Sequence, residues 1–188
     1  MALFTNRPPK RQAAAALSIM RTGPRSKWGG IILSPDMYGR LIHFHGRSMP
    51  CTETDDCPLC AKSNEPRWTG YLPIWQQTWS RPALLELPTA AGEQVAAWQD
   101  RNGSLIHKIV QTSRPKGRAN SRVKVEITNC DISGLQLPML PSVKDALCLI
   151  WQIDTNDPAG SIHNRLAALD RYQKQQEETN GRSSPVVL

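Results

Sequence analysis

The chain has 188 residues, 39% of them hydrophobic, with a formal net charge of +7 and a pI near 9.4. That length suits one globular domain of ordinary size and argues against two. The charge favours a polyanionic partner such as nucleic acid over an acidic protein or a neutral metabolite. No stretch approaches the ~20 apolar residues of a bilayer span, and the longest, around Ala146 to Ile153, is broken by Gln152 and Asp154. Ala13 to Leu17, behind the basic Arg7 to Arg11, is too short for a secretory signal, so the expectation is a soluble cytoplasmic protein with no membrane partner.

Residues 1–26 carry Arg7, Lys10, Arg11, Arg21 and Arg25 without an acidic residue, and Pro8 and Pro9 discourage regular structure. They read as a flexible arm, either a solvated tail or a polycation that touches phosphates. From Trp28 onward, short apolar runs alternate with turn residues. Strands are predicted over Trp28–Leu33, Arg40–His45, Tyr71–Trp75, Ala83–Leu87, Leu105–Gln111 and Arg122–Ile127. One helix is predicted from Thr89, as N-cap, to Arg101, burying Val95, Ala96 and Trp98 and ending at Asn102-Gly103. This order suits a mainly β fold with helices, an OB-like small barrel occupying residues 27–153. A second helix is expected over Ser142–Trp151, with Val143, Ala146, Leu147 and Ile150 on its buried face. Residues 154–188 read as a polar tail, partly helical or disordered.

The strongest chemical signal lies between the second and third predicted strands. His43-Phe44-His45 is followed by Cys51 and then by Cys57-Pro58-Leu59-Cys60. Two thiolates two residues apart form a tight turn, and a third thiolate with an imidazole completes a tetrahedron suited to Zn2+. In a reduced cytosolic chain, three cysteines in ten residues are better explained by a metal than by disulfides. His43 and His45 point to the same face of a strand, and either can reach the thiolates. A closed shell of this kind leaves no position for water, so one structural zinc per chain is expected. Its role is to order the loop Thr52–Asp56, which has no hydrophobic residue.

Downstream, Arg67, Trp68, Tyr71, Trp75 and Trp79, interleaved with Lys62 and Arg81, offer aromatic and basic side chains that bases could stack on, unless these rings are core. A second stretch holds Lys108, Arg114, Lys116, Arg118, Arg122 and Lys124 with no acidic residue, reading as a basic hairpin loop that tracks phosphates or is merely solvated. No catalytic set, glycine-rich phosphate loop or carboxylate pair beside a polarising metal stands out, so a non-enzymatic binder is expected.

Over Arg40 to Trp75 the chain resembles the zinc-containing single-stranded DNA-binding proteins of tailed phages, the T-even type among them. The resemblance implies an OB-like barrel that binds single strands, with Cys51, Cys57 and Cys60 as thiolate ligands and His43 or His45 as the imidazole. It places the chain in replication or recombination, among the proteins of a phage or other mobile element. The acidic C-terminal tip that recruits partners in that family is missing, because Arg171, Lys174 and Arg182 offset Glu177 and Glu178. An RNA-binding or ribosome-associated zinc protein, or a zinc-module protein adapter, would use the same residues.

Overall fold

The computed structural model describes residues 17–45, 47–53, 57–115, 118, 121–154, 156, 160–165, 167–168, 171 and 174, with His45 and Arg47 described by backbone alone. The fold is mixed α+β, dominated by a sheet of eight strands. The strands are β1 (Ser18–Arg21), β2 (Lys27–Ile32), β3 (Tyr38–His45), β4 (Arg47–Pro50), β5 (Arg67–Gln76), β6 (Arg81–Pro88), β7 (Lys108–Ser113) and β8 (Lys124–Asn129). The helices are α1 (Pro58–Ala61), α2 (Thr89–Asn102) and α3 (Val143–Trp151), with a 3-10 turn at Gln77–Trp79.

Strand β5 organises the sheet. One edge pairs antiparallel with β6 from Thr69↔Pro88 to Gln76↔Arg81. The other edge is shared, β3 taking Arg67 to Tyr71 and β2 taking Ile74 and Trp75. Strands β2 and β3 are therefore one long extended run, interrupted at Ser34-Pro35-Asp36 because proline cannot continue the ladder. The break is held from α2, where Gln99 Nε2 donates to the Pro35 carbonyl (3.2 Å) and to Asp36 Oδ1 (3.1 Å). Beyond it the sheet divides into two wings, one carrying β7 and β8 beside β2, the other carrying β4 beside β3.

Both faces of β5 and β6 are buried. Leu72, Ile74, Ala83, Leu85 and Leu87 meet Ala91 and Val95 of α2, while Tyr71 and Leu84 on the opposite face meet Val143, Ala146, Leu147 and Trp151 of α3. The helix spans are close to those expected, with Ser142 capping α3 by accepting from the Asp145 N–H (3.3 Å). The start of α2 differs: Pro88 is the N-cap, and the Thr89 hydroxyl instead donates to the Trp68 carbonyl (2.8 Å). Ala96 is exposed, because the buried stripe of α2 runs through Ala91, Gly92 and Val95.

Two expectations need correction. The sheet is not a closed barrel, because both edges that would meet are already engaged. Strand β1 pairs in parallel along the free edge of β6, and at the β8 edge Gln94 of α2 donates to the Val123 carbonyl (3.1 Å) and accepts from the Val125 N–H (3.1 Å). The expected arm over residues 1–26 is shortened, since Leu17 and Met20 are core residues and β1 belongs to the sheet. Residues 1–16 of that arm lie outside the described residues. Beyond 154, where a partly helical tail is expected, residues 160–165 are helical and Ile162 is buried. No helix among the described residues is long and apolar enough to cross a membrane.

Trp68 shows how tightly the core is fitted. Its indole lies against Gly39, Gly70 and Gly92, where added Cβ atoms would stand 2.3, 2.7 and 2.2 Å from the ring. Glycine at these positions is required by close approach rather than by backbone angles. In a helix Gly→Ala ordinarily stabilises by up to ~1 kcal/mol, but overpacking costs ~1–3 kcal/mol. Gly92→Ala is therefore expected to lower stability despite the better helix former, measured as a lower midpoint in urea. A raised midpoint would show that Trp68 is free to move away.

Candidate metal centre

The β3–β4 hairpin places His43 opposite Met49, and the ladder continues when the Cys51 N–H donates to the Leu41 carbonyl (2.8 Å). Cys51 is thereby set beside His43. The other two thiols sit on α1, whose first residue Pro58 suits a helix start because its missing N–H would have no partner there. Cys57 caps this turn and Cys60 closes it, with the Ala61 N–H bonded to the Cys57 carbonyl (3.0 Å) and the Ser63 N–H to the Cys60 carbonyl (3.0 Å). Asn64 Nδ2 donates to the Phe44 carbonyl (2.9 Å) and pins the turn to β3.

These elements bring four donor atoms within 4.8 Å of one another: His43 Nε2 and the sulfurs of Cys51, Cys57 and Cys60. The Cys51 sulfur lies 3.7 Å from that of Cys57 and 3.8 Å from that of Cys60. His43 Nε2 lies 3.4 Å from the Cys57 sulfur and 3.6 Å from the Cys60 sulfur. A tetrahedral ion with ordinary metal–ligand bonds gives sulfur–sulfur edges of about 3.8 Å and sulfur–nitrogen edges of about 3.5 Å. A disulfide would need sulfurs at about 2.05 Å. The geometry therefore suits a metal held by three thiolates and one imidazole, compatible with zinc.

The surroundings favour the same reading. His43 is 0% exposed and Cys51 and Cys57 are buried, so only Cys60 opens the cluster to solvent. The sulfurs rest on Met49, Leu59 and Ile162, and the Glu53 N–H donates to the Cys51 sulfur (3.3 Å). Burial pushes the Cys57 thiol up, but hydrogen bonds from Thr52 and from the backbone of Cys60, Thr52 and Leu59 outweigh it and bring the thiol down to about 5. Desolvation, then hydrogen bonds and charge from the Cys57 and Cys51 sulfurs, push Cys60 up to about 12. A second thiolate beside the first thus needs a cation to form, which a bound metal supplies.

Of the two histidines left open by sequence, the cluster contains His43; the side chain of His45 lies outside the described residues. The loop residues 54–56 and Lys116 also lie outside them.

The expected nucleic-acid contacts are scattered. Tyr71 is 0% exposed and packs edge-on against Trp151 with ring centroids 5.6 Å apart, so no base can stack on it. Trp68 is committed to its glycine cradle. Arg114 is engaged within the fold as well, its Nε donating to the Thr22 carbonyl (2.6 Å) and its Nη1 to the Ser121 carbonyl, which ties both ends of the loop to the end of β1. Lys108 Nζ donates to Asn129 Oδ1 (3.0 Å), and Lys124 pairs with Glu126 (2.7 Å). Arg67, Arg118 and Arg122 are exposed, and Trp75 is half-buried.

Trp28, read from the sequence only as the start of a strand, lies beside Trp79, the last ring of the aromatic series that follows the cysteines. Trp79 is 43% exposed on the 3-10 turn, 5.2 Å from the Trp28 ring, with the Arg81 guanidinium 4.9 Å above it. Beside this aromatic pair runs a groove of about 400 Å3 on the outer sheet face, lined by Lys27, Gly29, Gln76, Thr78, Gln111 and Glu126 among others.

His43→Ala and Cys57→Ser are expected to release the metal and to lower stability by several kcal/mol, whereas Cys130→Ser and Cys148→Ser change only local packing. His45→Ala should keep the metal. Metal content and thermal melts of the five variants check this, and equal shifts would show that the cluster holds no ion. Compared with known protein families, characterised proteins and solved structures, the chain matches none, so its function is argued from this geometry alone.

Proposed function

We propose that this chain is a non-enzymatic single-stranded DNA-binding protein whose metal is a structural zinc, organising single strands in replication or recombination. The observation that carries the reading is the open outer face of β2, β7 and β8. Helix α3 covers this side of the sheet at Tyr71 and Ile42 but leaves the β2 wing uncovered. The groove there is flanked by the Trp28–Trp79–Arg81 group, and at its Lys27–Ser113 end the basic loop leaves the sheet. Stackable rings beside a channel that cations can reach are what a single strand requires.

Strand succession supports an OB-like reading. The long run β2–β3, then β5, β6, α2, β7 and β8 is five strands with a helix between the third and fourth, and their neighbours follow the order β6-β5-β2-β7-β8. Partly open barrels of this plan bind oligonucleotides with the loops after the first strand and between the last two. Here the first of those loops carries the thiol cluster and the second carries Arg118 and Arg122. Zinc fits the role because it is tetrahedral, has no redox chemistry and would hold the first loop in place.

The same chemistry could accept RNA, and titration with single-stranded DNA, duplex DNA and RNA at several salt concentrations separates the cases. Single-stranded DNA is expected to bind tightest. Replacing Arg118 and Arg122 with alanine should flatten the slope of log affinity against log salt by about 0.7 for each phosphate no longer neutralised. Trp79→Ala should weaken binding by ~1–3 kcal/mol and leave the slope unchanged. Equal affinity for duplex, or no binding at physiological salt, would refute this function and leave the metal centre standing.

A further inference from the structure

A second cavity, lined by α3 and separate from the groove, has a chemistry of its own. It measures about 370 Å3, within the range of small-molecule sites, and lies between β3, β5 and α3. Tyr38, Tyr71 and Trp151 supply aromatic walls, and Arg40, Lys144 and Cys148 complete the lining. No carboxylate lines it, so its polar side chains are mostly hydrogen-bond donors.

Two of these donors are buried without a hydrogen-bond partner, the Tyr71 hydroxyl and Arg40 Nε. Unmet buried donors are costly and call for an explanation. Burial and the nearby Glu86 hold the Tyr71 hydroxyl well above the ordinary phenol range, so it keeps its proton and can donate. Arg40 is anchored by donating from Nη2 to the Cys51 carbonyl (3.1 Å), with Glu53 3.8 Å from its Nε on the metal-loop side. Lys144 is exposed on α3 and adds a second cation. A ligand that satisfies this lining has a flat apolar face, acceptor atoms and an anionic group of more than one oxygen.

We propose that the cavity between α3 and strands β3 and β5 binds a single nucleotide, its base against Tyr38 and Trp151 and its phosphate on Arg40 and Lys144. Aromatic walls take any base by stacking, and a guanidinium with an ammonium suits a phosphate better than a single carboxylate. The site does not depend on strand binding by the groove. The shared chemistry admits two sources, a free mononucleotide or the 5′-phosphorylated end of a strand.

Cys148 lines the cavity and reports on it directly. The zinc-loaded full chain is alkylated with iodoacetamide in the presence of thymidine 5′-monophosphate, adenosine 5′-monophosphate, thymidine, inorganic phosphate, or a 5′-phosphorylated or unphosphorylated oligonucleotide. Modification of Cys148 is read by peptide mass spectrometry, with Cys130 as the internal control. Either mononucleotides or the 5′-phosphorylated strand should protect Cys148 saturably, and which of them does so identifies the source. Lys144→Ala, on an exposed position, should weaken that protection about tenfold, Tyr71→Phe should weaken it with the ring retained, and Trp79→Ala should leave it unchanged. Absence of protection by every nucleotide, equal protection by thymidine or phosphate alone, or protection indifferent to Lys144→Ala would overturn the proposal. Strand affinity measured on the same samples reports the groove separately.

Discussion

Strand β5 is hydrogen-bonded along both edges, and one of those edges is divided between β2 and β3. The rest of the molecule depends on that division. A single straight strand would give one continuous sheet, whereas the break at Ser34-Pro35-Asp36 lets two halves of one run diverge while keeping a common partner. The wing beyond β2 becomes a sheet surface with a groove, and the wing beyond β3 becomes a short hairpin with a cysteine turn. Gln99 of α2 holds the branch point, so the helix that fills the core also fixes the angle between the wings.

The hairpin wing has only a small apolar cluster to hold it. Its apolar contribution is a few side chains, Met49 and Leu59 with Ile162 from beyond α3. Phe44 on the same hairpin is 72% exposed and adds nothing to that cluster. Four converging donor atoms can supply further order, because an ion held between β3, the segment after β4 and α1 would replace many weak contacts by a few strong ones. Arg40 extends this order inward. Through its bond to the Cys51 carbonyl it links the metal turn to the cavity beneath α3.

Much of this was legible in the sequence where local rules dominate. The cysteine spacing carries its own geometry, and α3 follows from Ser142 and the apolar spacing behind it. Strand β1 was not legible, because Ser18 to Arg21 follows a basic stretch and its strand character comes only from the edge of β6. The aromatic residues divide for a similar reason. Alternation puts Tyr71 and Trp75 on one face, but only the arrival of α3, some seventy residues later in the chain, buries Tyr71. Nor could a basic composition distinguish Arg114, spent on two carbonyls, from the exposed Arg118 and Arg122. Charge counts formal cations, and the fold decides which are free to meet a phosphate.

The parallel pairing of β1 with β6 also bears on the order in which the molecule assembles. Arg21 and Glu86 are 65 residues apart, whereas His43 and Cys60 are separated by 17. Closing the shorter loop sacrifices less chain entropy, and an ion binding there would reward it at once. During synthesis the metal turn can therefore close while the rest of the sheet is still emerging. Strand β1 has no edge to join until β6 is complete, so it is placed after the metal turn. Until then the margin of β6 is open to any other extended chain, and the interval before β1 docks is when this protein is most exposed to mispairing.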